Sequence, residues 1–185
     1  MRSSYKENKY ENIFKLLAFA LKPARCVEFG ILDGYSLKAM ADFCTDECVI
    51  EAYDIFEEFP GNAASYENLV ELFQGYSNVK IRRGDFYTSQ DNFEQQSIDI
   101  LHIDIANDGD TYRHALKHYM PKLSDTGICI LEGGSVDRDN VYWMKKYNKP
   151  KIVSAIEEIK KTHNVYTIDD HPSITFITKK SGFNE

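Results

Sequence analysis

A chain of 185 residues with 43% hydrophobic and 28% charged side chains has the size and balance of one globular domain with a full core. Its 22 basic and 29 acidic residues leave a formal charge of −7, and the doublets Arg82-Arg83, Lys145-Lys146, Lys160-Lys161 and Lys179-Lys180 are scattered among acids, so no nucleic-acid partner is expected. No apolar run approaches the ~20 residues of a membrane span, and Met1-Arg2-Ser3-Ser4-Tyr5 has no apolar segment behind it, which argues against a membrane partner or a secretory signal and for a cytoplasmic protein.

Ile13, Leu16, Leu17, Ala20 and Leu21 recur at helical spacing until Pro23 stops them. They define a helical extension over residues 1–23, ahead of a core over 24–180, within a single domain spanning 1–185. Residues 25–30 form a short apolar run closed by Gly30, the pattern of a buried strand entering a tight loop, and residues 36–43 return to helical character. A strand over 49–56, a helix over 63–73, a strand over 79–82 and a strand over 98–105 follow. Tyr112, Ala115, Leu116, Tyr119 and Met120 make an apolar stripe at helical period, with Asp110 placed to cap it. A fifth strand covers 127–131, Pro150 is placed to open a helix marked by Ile152, Ile156 and Ile159, and strands over 165–168 and 174–178 are joined only by a short link through His171-Pro172.

Strands alternating with helices imply right-handed crossovers and a parallel sheet. The final pair has no room for a crossover helix and must run antiparallel. The expected fold is therefore α/β: a Rossmann-like three-layer sandwich around a seven-stranded, mostly parallel sheet with an antiparallel C-terminal strand.

The four cysteines give no metal pattern in sequence. Cys26 and Cys129 sit in apolar runs and are expected to behave as small buried hydrophobes. Cys44 and Cys48 have no His or Cys nearby to complete a zinc site.

Chemistry concentrates at predicted strand ends. In Glu28-Phe29-Gly30-Ile31-Leu32-Asp33-Gly34-Tyr35-Ser36, Gly30 permits a tight turn and close ligand approach, and Gly34 leads into a helix whose first amides suit a carboxylate. Asp54 ends the second strand, 26 residues after Glu28, where an acid can accept from both hydroxyls of a ribose, with Ile55 beside it for the adenine. Gly84-Asp85-Phe86 follows the third strand: Asp85 can accept from an adenine amino group, and Phe86 can cover the ring or fill core. Asp104 ends the fourth strand, on the face shared with Ile100 and His102, where α/β folds bind ligands, and can receive a cofactor's ammonium or orient substrate.

Together these segments resemble a class I S-adenosylmethionine-dependent methyltransferase over about residues 24–180. Residues 28–36, 98–112 and 126–134 resemble the small-molecule O-methyltransferases of the macrocin-methyltransferase and cephalosporin-hydroxylase neighbourhood. The resemblance implies S-adenosylmethionine as cofactor, its methionine end held by Glu28, Gly30, Gly34, Tyr35 and Ser36, its ribose by Asp54, and its adenine by Ile55, Asp85 and Phe86. The relatives' compact Asp-Gly-x-His-x-Tyr is replaced here by Asp104-Ile105-Ala106-Asn107-Asp108-Gly109-Asp110-Thr111-Tyr112. Glu132 is followed by Gly133, so the paired acids that hold magnesium in some relatives are reduced to one. Asp104, Asp108 and Glu132 retain oxygen ligands for a divalent cation such as magnesium, but no metal is expected.

Methyl transfer is an in-line displacement that depends on positioning and water exclusion, aided by a general base when the acceptor is a hydroxyl. The base candidates rank Asp104, Glu132, His114 and His171, with Asp104 and Glu132 expected to be catalytic and His102 a core residue. The expected partner is a small-molecule acceptor, a sugar or other cell-surface or natural-product precursor, and an anionic one if Arg138 and the lysines of 135–149 face it. A solvated helix with Trp143 turned inward accounts for the same residues. The N-terminal helix has two open roles, capping the site or supporting a homodimer. Three rivals share the fold: a nicotinamide-dependent oxidoreductase, opposed by the missing third glycine and the terminal hairpin; an aminopropyltransferase, opposed by the missing acidic pair; and a non-catalytic partner protein, opposed by the retained site residues.

Overall fold

The computed structural model describes residues 1–59 and 61–180, so the last five residues of the domain expected over 1–185 lie outside the described residues. Seven strands, β1 (Arg25–Phe29), β2 (Val49–Asp54), β3 (Val79–Arg83), β4 (Ile98–Ile103), β5 (Leu123–Glu132), β6 (His163–Ile168) and β7 (Ile174–Lys179), form one sheet in the order β3-β2-β1-β4-β5-β7-β6. Pairings from β3 through β5 are parallel, whereas β7 is antiparallel to both β5 and β6, as the short His171-Pro172 link requires. The carboxyl ends of β1, β2 and β4 therefore share one edge of the sheet, where open α/β folds bind ligands.

Period-two alternation sorts the central strands into two apolar layers. Val27, Phe29, Leu101, Ile103, Cys129 and Leu131 face one side, under the helices α4 (Gly109–His114) and α7 (Ile152–Ile159). Cys26, Ile50, Ala52, Ile100 and Ile130 face the other, under α1 (Glu11–Leu21), α2 (Tyr35–Ala41) and α3 (Tyr66–Phe73). Helix α1 buries Phe14 and Ala18 and ends where Lys22 turns left-handed ahead of Pro23, but Leu16 and Phe19 of that segment point outward. Two short helices, α5 (Val136–Asp139) and α6 (Tyr142–Lys146), fill the link between β5 and α7. None of these helices is long and apolar enough to cross a membrane.

Several boundaries differ from the expected ones, each for a local reason. The helix expected over 63–73 begins at Tyr66, because Ser65 caps it by accepting from the Asn68 amide. Asp108, not Asp110, caps α4: its carboxylate accepts from the amides of Asp110 and Thr111, and Thr111 closes a capping box. The stripe beyond it continues as a wider π-turn over Ala115–Tyr119, still burying Tyr112, Ala115, Tyr119 and Met120. Helix α7 starts at Ile152, where the Asp139 carboxylate accepts from the amides of Ile152 and Val153 at 2.7 and 3.1 Å.

The isolated reading of the cysteines is corrected. Cys26 lies 3.9 Å from the Cys44 sulfur and 3.8 Å from that of Cys48, so three thiols meet at the amino end of β1 and β2.

The tightest backbone approach is at Gly30, whose φ is +85° and whose missing Cβ would lie 2.0 Å from the Asp104 carbonyl oxygen. Both atoms belong to backbone, so neither can yield cheaply. Gly30→Ala is expected to destabilise the fold by more than about 2 kcal/mol in urea unfolding, since it adds a backbone clash to an unfavourable φ. A loss below about 0.5 kcal/mol would contradict this packing.

Candidate active site

The ends of β1, β2 and β4 open into a cavity of about 690 Å³, within the range of ligand sites. Gly30, Tyr35, Ser36, Asp54, Ile55, Asp85, Phe86 and Asp104 all line it. Sequence therefore located eight residues of one cavity from four separate segments, but not all of them face it as expected.

Asp54 is held firmly. One carboxylate oxygen accepts from the Ile31 amide at 2.9 Å, and the other from the Phe56 amide and the Asn62 side chain, both at 2.7 Å. These bonds tie the loop after β1 to the end of β2 and leave the acid 8% exposed. Ile55 is half-buried at the cavity wall, and Asp85 is exposed with one oxygen accepting from the Tyr87 amide.

Three expected cofactor contacts are revised. Glu28 is fully buried beneath the cavity, where one oxygen accepts from the Ser36 hydroxyl and faces His102 Nδ1 at 2.8 Å. Its side chain does not line the cavity because those two partners draw it into the layer below. Phe86 is buried and stacked on Tyr119, with centroids 4.9 Å apart, so its ring fills core. Tyr35 lines the cavity but donates its hydroxyl to Glu11 of α1, and burial with that carboxylate pushes its pKa up to about 12.

His102 is the core residue the sequence suggested, in a chain that reaches the cavity. Its Nε2 lies 3.2 Å from the hydroxyl of buried Tyr5. The network runs Ser36–Glu28–His102–Tyr5 across three elements and the N-terminal segment.

Asp104 is half-buried at the cavity floor. Burial, with the charges of Glu132 and Glu28 nearby, raises its pKa to about 7, against the lowering pull of His102 and Tyr5. A carboxyl tuned to neutrality in a cleft has the property a general base needs.

The other base candidates fall away. Glu132 is buried in a two-point ion pair with Arg138, at 2.7 and 2.9 Å, and does not line the cavity. That pairing also corrects the expectation that Arg138 would meet an anionic acceptor: the guanidinium is 6% exposed and lies over Trp143, which is half-buried. His114 is half-buried against Phe86, Tyr87 and His118, and His171 is exposed; neither lines the cavity. Asp108 is held by its capping role and by Lys149 at 3.0 Å, so of the three acids expected to gather round a hard cation, Asp108 and Glu132 are directed to cations of the chain itself.

The N-terminal segment carries residues that sequence missed. Arg2, Ser3 and Ser4 line the cavity. Arg2 forms a two-point pair with Asp33 and donates to the Ala63 carbonyl, so it bridges the loops on either side. Hydrogen bonds from the Arg2 side chain and backbone amide hold the Asp33 carboxyl down to about 2. Leu32, Phe59 and Asn62 also line the cavity. Only spatial proximity assembles these groups, and no motif marks them.

The raised Asp104 pKa fixes a stability trend. An unfolded aspartate titrates near 4. Between about 4 and 7 the folded state holds the extra proton, so stability falls as pH rises through that window. Asp104→Asn is expected to gain stability over the parent at pH 8, and that gain should vanish at pH 4. A pH-independent difference in urea midpoint would contradict the assigned environment.

The model of a methyltransferase-domain family matches residues 27–132, more than half of the chain. No curated protein matches the sequence significantly. Similar solved structures include an SAH-bound methyltransferase from Podospora anserina, 16% identical with a TM-score of 0.72, the match covering 98% of this chain and 80% of that one. A putative caffeoyl-CoA O-methyltransferase from Staphylococcus aureus is 16% identical with a TM-score of 0.68, over 97% and 85% of the two chains. A SAM-dependent O-methyltransferase from Thermotoga maritima is 13% identical with a TM-score of 0.65, over 100% and 69%. At such identities the likeness is one of fold.

Proposed function

The chain belongs to the methyltransferase-domain family, and from that premise we propose that it transfers the methyl group of S-adenosylmethionine to a hydroxyl of a small molecule. The observation that carries the reading is Asp104, which alone of the four base candidates lines the cavity and titrates near neutrality.

The residues present fit the cofactor. A carboxylate has about four acceptor positions, and three protein donors reach Asp54, so a ribose hydroxyl has one free position and can take that of the Asn62 amide. Glu28 keeps a fully buried second oxygen with no donor among the described residues, next to Ser36 on the cavity wall. A water beside Ser36 that donates to this oxygen and accepts from the cofactor's ammonium would satisfy it without direct contact. Ile55, Leu32 and Phe59 offer apolar surface for a planar base or for the acceptor. When bound, S-adenosylmethionine supplies a sulfonium methyl open to in-line attack.

The chain's own part is orientation, water exclusion and proton removal. Asp104 takes the acceptor's hydroxyl proton. The acceptor is a neutral small molecule with an apolar body, because Arg138, Arg2 and Lys149 are each committed to a carboxylate of the chain.

The test is methyl transfer from S-adenosylmethionine to a panel of hydroxylated and phenolic acceptors. Turnover should rise with pH through about 7 and fall on the order of 100-fold or more in Asp104→Asn, with S-adenosylhomocysteine affinity kept within about threefold. An Asp104→Asn enzyme as active as the parent would overturn the base assignment.

A further inference from the structure

Three cysteine sulfurs meet at the end of the sheet opposite the cavity, and no part of the proposed chemistry uses them. Cys26 lies near the start of β1, and Cys44 and Cys48 lie on the link from α2 to β2. The three sulfurs lie within 4.8 Å of one another, with Cys26 3.9 Å from Cys44 and 3.8 Å from Cys48. In a tetrahedral zinc site with Zn–S near 2.3 Å, neighbouring sulfurs are ~3.8 Å apart. The two separations from Cys26 match that edge.

We infer that Cys26, Cys44 and Cys48 form a site for one thiophilic divalent cation, zinc being the natural occupant. The Cys44-x-x-x-Cys48 spacing lies within the range that paired zinc ligands use. Three sulfur donors without oxygen ligands select a soft or borderline cation over magnesium or calcium. Cys26 and Cys48 are buried, while Cys44 is half-buried, so the cluster meets solvent on the Cys44 side and a water can complete four-coordination there.

The charge balance is simple. Binding releases three thiol protons to solvent and leaves Zn²⁺ with three thiolates, a net charge of −1. The metal would pin the amino end of β1 to the link that delivers β2. Its contribution is to hold those strands in register, with no metal at the reacting atoms.

The test uses full-length, untagged, fully reduced protein titrated with Zn²⁺ in a calorimeter. One zinc per chain is expected, bound more tightly than about 1 µM, with a rise in Tm that scales with free zinc. Co²⁺ in its place should give thiolate-to-cobalt charge-transfer absorption. Cys44→Ser, at the half-exposed position, should fold like the parent yet bind zinc on the order of 100-fold more weakly. Cys129→Ser, in the opposite layer, should leave zinc affinity unchanged. Failure of the reduced parent to bind zinc at tens of micromolar, or undiminished binding by Cys44→Ser, would overturn the site. Since these readouts need no cofactor or acceptor, they stand apart from the methyl-transfer assay.

Discussion

The site depends on two backbones in contact. The Asp104 carbonyl occupies the space a side chain at position 30 would need, and the Asp104 amide donates to the Phe29 carbonyl at 2.8 Å. The Gly30 amide in turn donates to Tyr53 at 2.9 Å, and Asp54 holds the next amide, of Ile31. These bonds join the ends of β1, β2 and β4 into one rigid floor. Asp54 and Asp104 are then fixed as the two carboxylates that face the cavity from it.

Around that floor, the pairing of charges decides which acid is reactive. Glu132 and Asp108 each have a cation in contact, and Asp54 accepts from three donors. Asp104 has no cation in contact among the described residues and sits near two other carboxylates, so its ionised form is the least favoured. Removing one partner of the buried Glu132–Arg138 pair would leave an uncompensated charge, a cost of roughly 3–5 kcal/mol. That pair therefore acts as support beneath the site, holding the end of β5.

Strand and helix order was legible because each element carries its own period, and the antiparallel end followed from a link too short for a crossover. The glycine loop, Asp54 and Asp104 were legible because parallel strands deliver their ends to one edge. What sequence could not show were partners distant along the chain. Tyr5 meets His102 across 97 residues, and nothing at position 5 predicts it. Cys26 joins a cluster with Cys44 and Cys48 only because β1 and β2 pair. Glu132 and Arg138 were each assigned an outward role, since the fold of the link after β5, which brings them together, has no periodic signature. Phe86 was ambiguous between core and ligand, and Tyr119 resolves it by stacking.

The central claim is that this cavity is built for an adenosyl-sulfur ligand. Calorimetric titration of the protein with S-adenosylhomocysteine and, in parallel, NAD tests it most directly. Micromolar binding of S-adenosylhomocysteine with no NAD response is the predicted result. NAD binding, or no heat from S-adenosylhomocysteine across the accessible range, would contradict the claim.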